Sequence, residues 1–240
     1  NTIAFYNVEN LFETKDNPKT YDDDFTSEGT KNWNEKRYAI KIKKLGSVIS
    51  QLGVKRSKMP PVIVGLVEVE NAKVVNDLKN SSHLKKYPYH FVHYDSPDDR
   101  GIDVALMYNR QFFELIDSKS YPLFIETSEG KQDFTRDILR VSGNLNGELI
   151  HVLVNHWPSR REGAEESEYK RIAAAELAKS IVNEIQTVDV NAKIILMGDF
   201  NDDPTSKSIQ EHLVTEDFYN PMEPLLNREK TGTLTYNGKW

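Results

Sequence analysis

Asp199 and Asn201 stand two positions apart at the end of an apolar run, Ile194-Ile195-Leu196-Met197-Gly198-Asp199-Phe200-Asn201. A carboxylate takes a proton or a metal ion, and a carboxamide both donates and accepts hydrogen bonds. Residues two apart share one face of a strand, so an extended path predicts that both side chains point the same way. Gly, Asp and Asn are also ordinary turn residues, and in isolation the segment reads as a strand ending in a turn. Three further segments change that reading. Ile3-Ala4-Phe5-Tyr6-Asn7-Val8-Glu9-Asn10 ends in Asn7 and Glu9, the run from Val62 to Asn71 ends in Glu68 and Glu70, and Leu149 to Trp157 ends in His156. Carboxylates, amides and an imidazole at four strand ends suit a hard divalent cation such as Mg²⁺, which takes oxygen ligands and works beside a phosphate. That chemistry is metal-assisted phosphoester hydrolysis.

In this order, Asn7-Val8-Glu9-Asn10-Leu11-Phe12, Glu68-Val69-Glu70-Asn71, Asn155-His156-Trp157-Pro158-Ser159-Arg160 and Gly198-Asp199-Phe200-Asn201 resemble the endonuclease/exonuclease/phosphatase superfamily, over Thr2 to Trp240. The resemblance implies an α/β (α+β) fold, a four-layer α/β/β/α sandwich of the deoxyribonuclease-I-like kind, with the site at one end. It implies Glu68 as the principal metal carboxylate, with Asn7 and Glu9 beside the ion, which would be Mg²⁺ or Mn²⁺, with Ca²⁺ a further option. His156 matches a phosphate-contacting or acid/base histidine, Asp199 the residue that orients or deprotonates the attacking water, and Asn201 a phosphate ligand. Arg136, in Phe134-Thr135-Arg136-Asp137, resembles a substrate-contacting arginine. Arg160 reads either as a second phosphate contact or, beside Arg161 and an acidic helix, as a salt-bridged surface residue. The implied function is a phosphodiesterase or nuclease acting by in-line water attack; a phosphomonoesterase or lipid phosphodiesterase is the alternative on the same fold. The family closes with an Asp beyond a Trp-containing strand and then Ser-Asp-His. Here Gly232–Trp240 resembles the approach to that strand, and no histidine follows His212. The expectation is one domain over 1–240 whose C-terminal end lies beyond this sequence, with a catalytically degenerate binding domain as the alternative.

Composition sets wide bounds. Apolar residues at 38% and charged residues at 28% suit a soluble globular chain. A net charge of −6 argues against a strongly basic surface that wraps nucleic acid, while leaving open a nuclease whose substrate is screened locally by metal. No apolar run reaches the roughly 18 residues that a membrane span needs. Without cysteine there is neither a disulfide nor a thiolate metal site. The chain starts at Asn1, one residue before a strand, and so reads as trimmed; a secreted or periplasmic location fits that reading. The expected partner is a phosphoester substrate, nucleic acid among the candidates, bound by a monomer.

Positioning these residues falls to recognisable elements. Glu13 to Lys31 reads as a long polar loop beside the metal end of the first strand, with Asp22-Asp23-Asp24 as a solvated face. Ile42, Leu45, Ile49 and Leu52 predict a helix from Asn34 to Leu52 that Gly53 ends. A short helix is expected over Ala72–Asn80, and strands over Tyr89–Tyr94, Val104–Tyr108 and Phe112–Ile116. Thr135–Val141 and Leu149–Val154 read as a hairpin across Asn146-Gly147. In the helix Glu165–Ile185, Tyr169, Ala173, Leu177, Ile181 and Ile185 form the expected apolar stripe. Pro158 forces the chain out of the sheet just after His156. His83, His90, His93, His151 and His212 lack supporting motifs and read as structural or surface residues. Asp103 is a candidate support for His156 or for the cleft wall, Trp157 is either core or a base-stacking surface, and Glu68 and Glu70 share a face.

Overall fold

The structure, a computed structural model, describes residues 1–127, 130–161, 163–214 and 218–226. The Gly232–Trp240 segment, which resembles the approach to the family's last motif, lies outside the described residues.

Among the described residues, ten strands and four α-helices alternate along the chain. They are β1 (Ile3–Leu11), α1 (Glu35–Ile49), α2 (Val54–Ser57), β2 (Ile63–Val69), α3 (Ala72–Lys79), β3 (Tyr89–His93), β4 (Asp103–Asn109), β5 (Phe113–Tyr121), β6 (Ile125–Glu126), β7 (Gln132–Asp133), β8 (Ile138–Leu145), β9 (Glu148–His156), α4 (Glu168–Val188) and β10 (Lys193–Asp199). They build two four-stranded sheets, ordered β1-β2-β4-β3 and β10-β9-β8-β5, plus the small β6-β7 pair. Each large sheet has one parallel pair at its edge, β1 with β2 and β9 with β10, and is antiparallel elsewhere. A parallel pair needs a crossover, and α1 and α4 lie in those crossovers. The chemistry-bearing residues therefore fall at the C-terminal ends of four strands, the usual ligand end of such arrangements.

Side-chain alternation explains the four layers. In β2, Val64 and Leu66 pack with Tyr38, Ile42, Leu45 and Ile49 of α1 and Val74, Val75 and Leu78 of α3. Ile63 and Val67 face the opposite way, joining Val152 and Val154 of β9 and Met197 of β10 between the sheets. Leu153, on the other face of β9, packs on Ala174, Ala178, Ile181 and Ile185 of α4. The order is helices, sheet, sheet, helix, as the resemblance implies. Among the described residues, no helix is long and apolar enough to cross a membrane.

Local chemistry fixes the ends. Asn34 caps α1 by accepting from the Arg37 amide at 3.2 Å, and Asn71 caps α3 by accepting from Val74 at 3.1 Å. The hairpin forms as expected: Leu145 pairs with Glu148, and Asn146 and Gly147 adopt φ of 52° and 87°, the left-handed pair a type I′ turn requires.

Three expectations need correction. The first strand of that hairpin starts at Ile138 rather than Thr135. In α4 the buried residues are Lys170, Arg171, Ala174, Ala175, Ala178, Ile181, Val182 and Ile185, while Tyr169 is exposed and Ala173 and Leu177 are only half-buried. A strict four-residue spacing overshoots the 3.6-residue turn and drifts around the helix, so only its last members stay on the buried face. The Glu13–Lys31 loop is not wholly a solvated surface. Phe25 stacks on Phe12 at 4.4 Å between ring centres, and Asp22 is buried, accepting from the Asn17 amide and the Thr20 hydroxyl.

Gly198 precedes Asp199 and is the register partner of Asn155: a Cβ there would sit 2.2 Å from the Asn155 carbonyl oxygen. Gly198→Ala is expected to push the strands apart and cost about 1–3 kcal/mol, the usual scale of overpacking. Thermal unfolding reads this directly, and a melting temperature equal to wild type would contradict the close approach.

Candidate active site

Asn7 is the junction of the two sheets at this end. Its Nδ2 donates to Glu68 Oε1 on the neighbouring strand and to Asp199 Oδ2 on the opposite sheet, each at 3.1 Å. Its Oδ1 accepts the Glu9 amide at 2.8 Å. His156, the last residue of β9 and the register partner of Asp199, brings Nε2 to 3.8 Å from the same Glu68 oxygen. So Asn7, Glu68, His156 and Asp199 meet. Glu9 leads away: it is exposed and turned toward the cleft beside α1.

Plain strand alternation does not produce this geometry. Pairing slips between Asn7 and Leu11 on β1 and between Val67 and Val69 on β2. Within those irregularities Glu9, Asn10 and Glu68 have φ of 54°, 60° and 63°, and Asn201, just past β10, has φ of 50°. Left-handed backbone costs a non-glycine residue about 1 kcal/mol or more, and bulges commonly re-aim side chains at functional sites. The bulge separates Glu68 from Glu70. Glu68 faces the cluster, while Glu70 is buried on the far side, accepts the Glu13 amide, and has its carboxyl pushed up to about 7 by burial first and then by Glu13 and Asp22. The expectation that these two share a face is corrected. So is the extended path beyond Asp199: Asn201 reaches back through its amide N–H to Asp199 Oδ1 at 3.1 Å and its side-chain Nδ2 to the Trp157 carbonyl at 2.9 Å.

Electrostatics set the protonation of the histidine. Burial above all, then the charges of Arg136 and Arg100, hold His156 well below the ordinary imidazole value, so it is neutral at pH 7. Its buried Nδ1 has no hydrogen-bond partner among the described residues. Asp103 does not support it. Asp103 instead accepts from His93 Nε2 at 3.0 Å and from the Ser96 amide at 2.9 Å, with Asp95 outside the imidazole. His93, Asp95 and Asp103 bring ligand atoms within 4.8 Å of one another, but Asp103 is spent on hydrogen bonds and Asp95 is 88% exposed. We read this trio as the anchor of the loop between β3 and β4.

That loop carries what sequence reasoning missed. Asp98 forms a buried pair with Arg136 at 3.1 Å, and Arg136 also donates to the Trp157 carbonyl at 2.7 Å. Arg136 is thus a strut behind the cluster, with its guanidinium engaged by protein. Arg100 reaches Asn10 Oδ1 at 2.7 Å, and its charge bears on both Glu68 and His156. The signal available in the sequence was only an Asp-Asp-Arg-Gly turn.

Arg160 is likewise engaged. It pairs with Asp202 at 2.7 Å and Asp203 at 3.2 Å and donates Nε to the Asn201 carbonyl. Arg171 of α4 holds the other Asp202 oxygen at 2.9 Å. Two arginines therefore clamp the turn that carries Asn201, and Arg160 forms the salt bridges that one of its two readings expects. Trp157 is core, 1% exposed and edge-on to Phe200. Asn155, also buried, donates to the carbonyls of Leu153 and Met197 and accepts from Trp157 Nε1, cross-bracing β9 to β10.

The donor set fits a hard cation. Glu68 Oε2 accepts no hydrogen bond from a described residue, so a carboxylate oxygen is left for an ion beside the Asn7 amide.

Comparison with known proteins identifies the family and the fold. A sequence model described as "Endonuclease/Exonuclease/phosphatase family" matches residues 2–240. Among solved structures, humanized D. rerio TDP2 carrying 14 mutations is similar at a TM-score of 0.58 and 15% identity, covering 94% of this chain and 72% of that one. D. rerio TDP2 complexed with single strand DNA product gives 0.55 and 16%, covering 78% and 64%. C. elegans TDP2 gives 0.50 and 17% over 71% of this chain, which spans 45% of that one. At these identities the likeness carries the fold. No curated protein matches significantly.

The strut yields a prediction. Asp98→Ala leaves Arg136 buried without its carboxylate and should cost about 3–5 kcal/mol in urea unfolding, the usual effect of breaking a buried pair from one side. An unchanged midpoint would contradict the strut.

Proposed function

Because the chain belongs to the endonuclease/exonuclease/phosphatase family, a family of phosphoester hydrolases, we propose that it is a metal-dependent phosphodiesterase of the nuclease kind, cleaving by in-line attack of water. One observation carries the reading: a single amide, Asn7, is shared between a carboxylate of each sheet, with a neutral imidazole alongside. Glu68, with Asn7 beside it, would hold Mg²⁺ or Mn²⁺. Such an ion supplies positive charge that polarises a phosphoryl oxygen.

The chain's own groups do the rest. Asp199 is held by the Asn7 amide on one oxygen and the Asn201 amide on the other, which fixes the carboxylate plane. Held in this way, it orients the attacking water and takes its proton as the oxygen bonds to phosphorus and the leaving oxygen departs opposite. Asn201 spends one side-chain N–H on Trp157 and keeps a second for a phosphate oxygen. His156 adds a fixed neutral dipole. Arg100, which donates through one nitrogen to Asn10, has donors left for developing negative charge, the kind of preorganised stabilisation that contributes most to such reactions.

Asp199→Asn keeps the shape and removes the base. On plasmid DNA and on bis(p-nitrophenyl) phosphate with Mg²⁺, kcat should fall about 10²–10⁴-fold with KM changed little. Normal turnover with weakened affinity would reverse the assignment, and absence of metal-dependent cleavage by wild type would overturn the function.

A further inference from the structure

Helix α1 carries two stripes. Tyr38, Ile42, Leu45 and Ile49 are buried against the first sheet. Arg37, Ile40, Lys41 and Lys44, at spacings of three and four, face instead a cleft of about 380 Å³ whose other walls are Tyr6, Asn7, Val8, Glu9 and Trp33. That volume lies within the range of small-ligand sites. Asn7 lines this cleft and also holds the carboxylate cluster, so the cleft borders the cluster.

The lining is chemically lopsided. Three cations meet one carboxylate, in a protein whose net charge is −6. The Lys44 side chain is exposed and makes no hydrogen bond or ion pair with a described residue. Among the described residues, Arg37 donates to the carbonyls of Lys31 and Asn32 and forms no ion pair. Lys41 lies over the Trp33 ring at 5.7 Å and donates to the Glu9 and Asn10 carbonyls, tying the cleft wall to the bulge of β1. Ile40, 46% exposed, puts an apolar surface between the cations. Cations alternating with apolar surface match a ligand that alternates anionic and flat apolar groups.

We propose that this cleft is a second phosphate subsite, binding a flanking phosphate and its nucleoside in a single nucleic-acid strand whose scissile phosphate lies at the Glu68–Asp199 cluster. The proposal rests on the phosphodiesterase reading and names its substrate class. Arg37 and Lys44 grip the flanking phosphate, and Ile40 takes the sugar or base. A substrate with a single phosphate gains nothing from the site.

The test uses the full-length protein with a fluorescein-labelled single-stranded oligonucleotide, titrated in EDTA so that binding is read without turnover. The Arg37→Gln/Lys44→Gln pair should weaken binding about tenfold or more, and the slope of log affinity against log salt should fall by about 0.7 for each phosphate the variant no longer neutralises. Lys36→Gln/Lys43→Gln makes the same charge change on α1 outside the cleft lining and should have the smaller effect. With Mg²⁺, the cleft pair should lose at least ten times more kcat/KM on the oligonucleotide than on bis(p-nitrophenyl) phosphate. Equal weakening by the two pairs, or equal loss on the two substrates, would overturn the subsite. Inorganic pyrophosphate displacing the strand as well as an unlabelled oligonucleotide does would also overturn it, in favour of a free-phosphate site. Failure of wild type to cleave, with binding still sensitive to the cleft pair, would instead sink the catalytic reading and leave the subsite standing.

Discussion

Two carboxylates from different sheets share one amide, and the functional end of the molecule is organised around that contact. Glu68 and Asp199 each accept from Asn7 Nδ2 at 3.1 Å, which keeps their oxygens within about 6 Å of each other. Like charges at that separation repel by about 3 kcal/mol at an effective dielectric of about 20. A single neutral amide offsets part of this, and the remainder favours binding of positive charge. The interaction that joins the sheets is thus also the one that prepares the site for a cation.

Holding that arrangement requires a rigid surround. On the first sheet, irregular pairing in β1 and β2 turns Glu68 inward through a left-handed backbone. On the second, Asp199 is seated by Gly198 against β9, and Asn201 is fixed through the Asp202 clamp of Arg160 and Arg171. A third support comes from the side: Asp98 and Arg136 join the β3–β4 loop to the chain after His156. Charge follows the same plan, with carboxylates at the centre and Arg136 and Arg100 behind; burial first, and then these two charges, keep His156 neutral.

Much of this was legible because strand ends announce themselves. An apolar run that stops at Asn7, Glu68, His156 or Asp199 specifies both a buried strand and what it delivers, and parallel pairing brings all four to one end. What stayed hidden depends on backbone irregularity or on distant contacts. Period-two alternation placed Glu68 beside Glu70, and a bulge turned them apart. Phe25 and Asp22 sit in a segment polar enough to read as solvent-exposed, yet tertiary contacts with Phe12, Asn17 and Thr20 bury them. Arg136 and Arg160 were recognisable as arginines of the site; their engagement with Asp98 and Asp202 could not be read from spacing, because those partners lie 38 and 42 residues away. Arg100 had only a turn signal around it, and its approach to Asn10 exists only in the folded chain.

The central claim is that the cluster around Asn7 is where positive charge binds. Calorimetric titration of the metal-free protein with Mn²⁺, alongside Glu68→Gln and Asp95→Asn, tests it most directly. Glu68→Gln is predicted to weaken binding by tenfold or more, while Asp95→Asn, changed within the His93–Asp103 trio, leaves it intact. Binding that survives Glu68→Gln and is lost in Asp95→Asn would move the metal to the base of the β3–β4 loop and contradict the account.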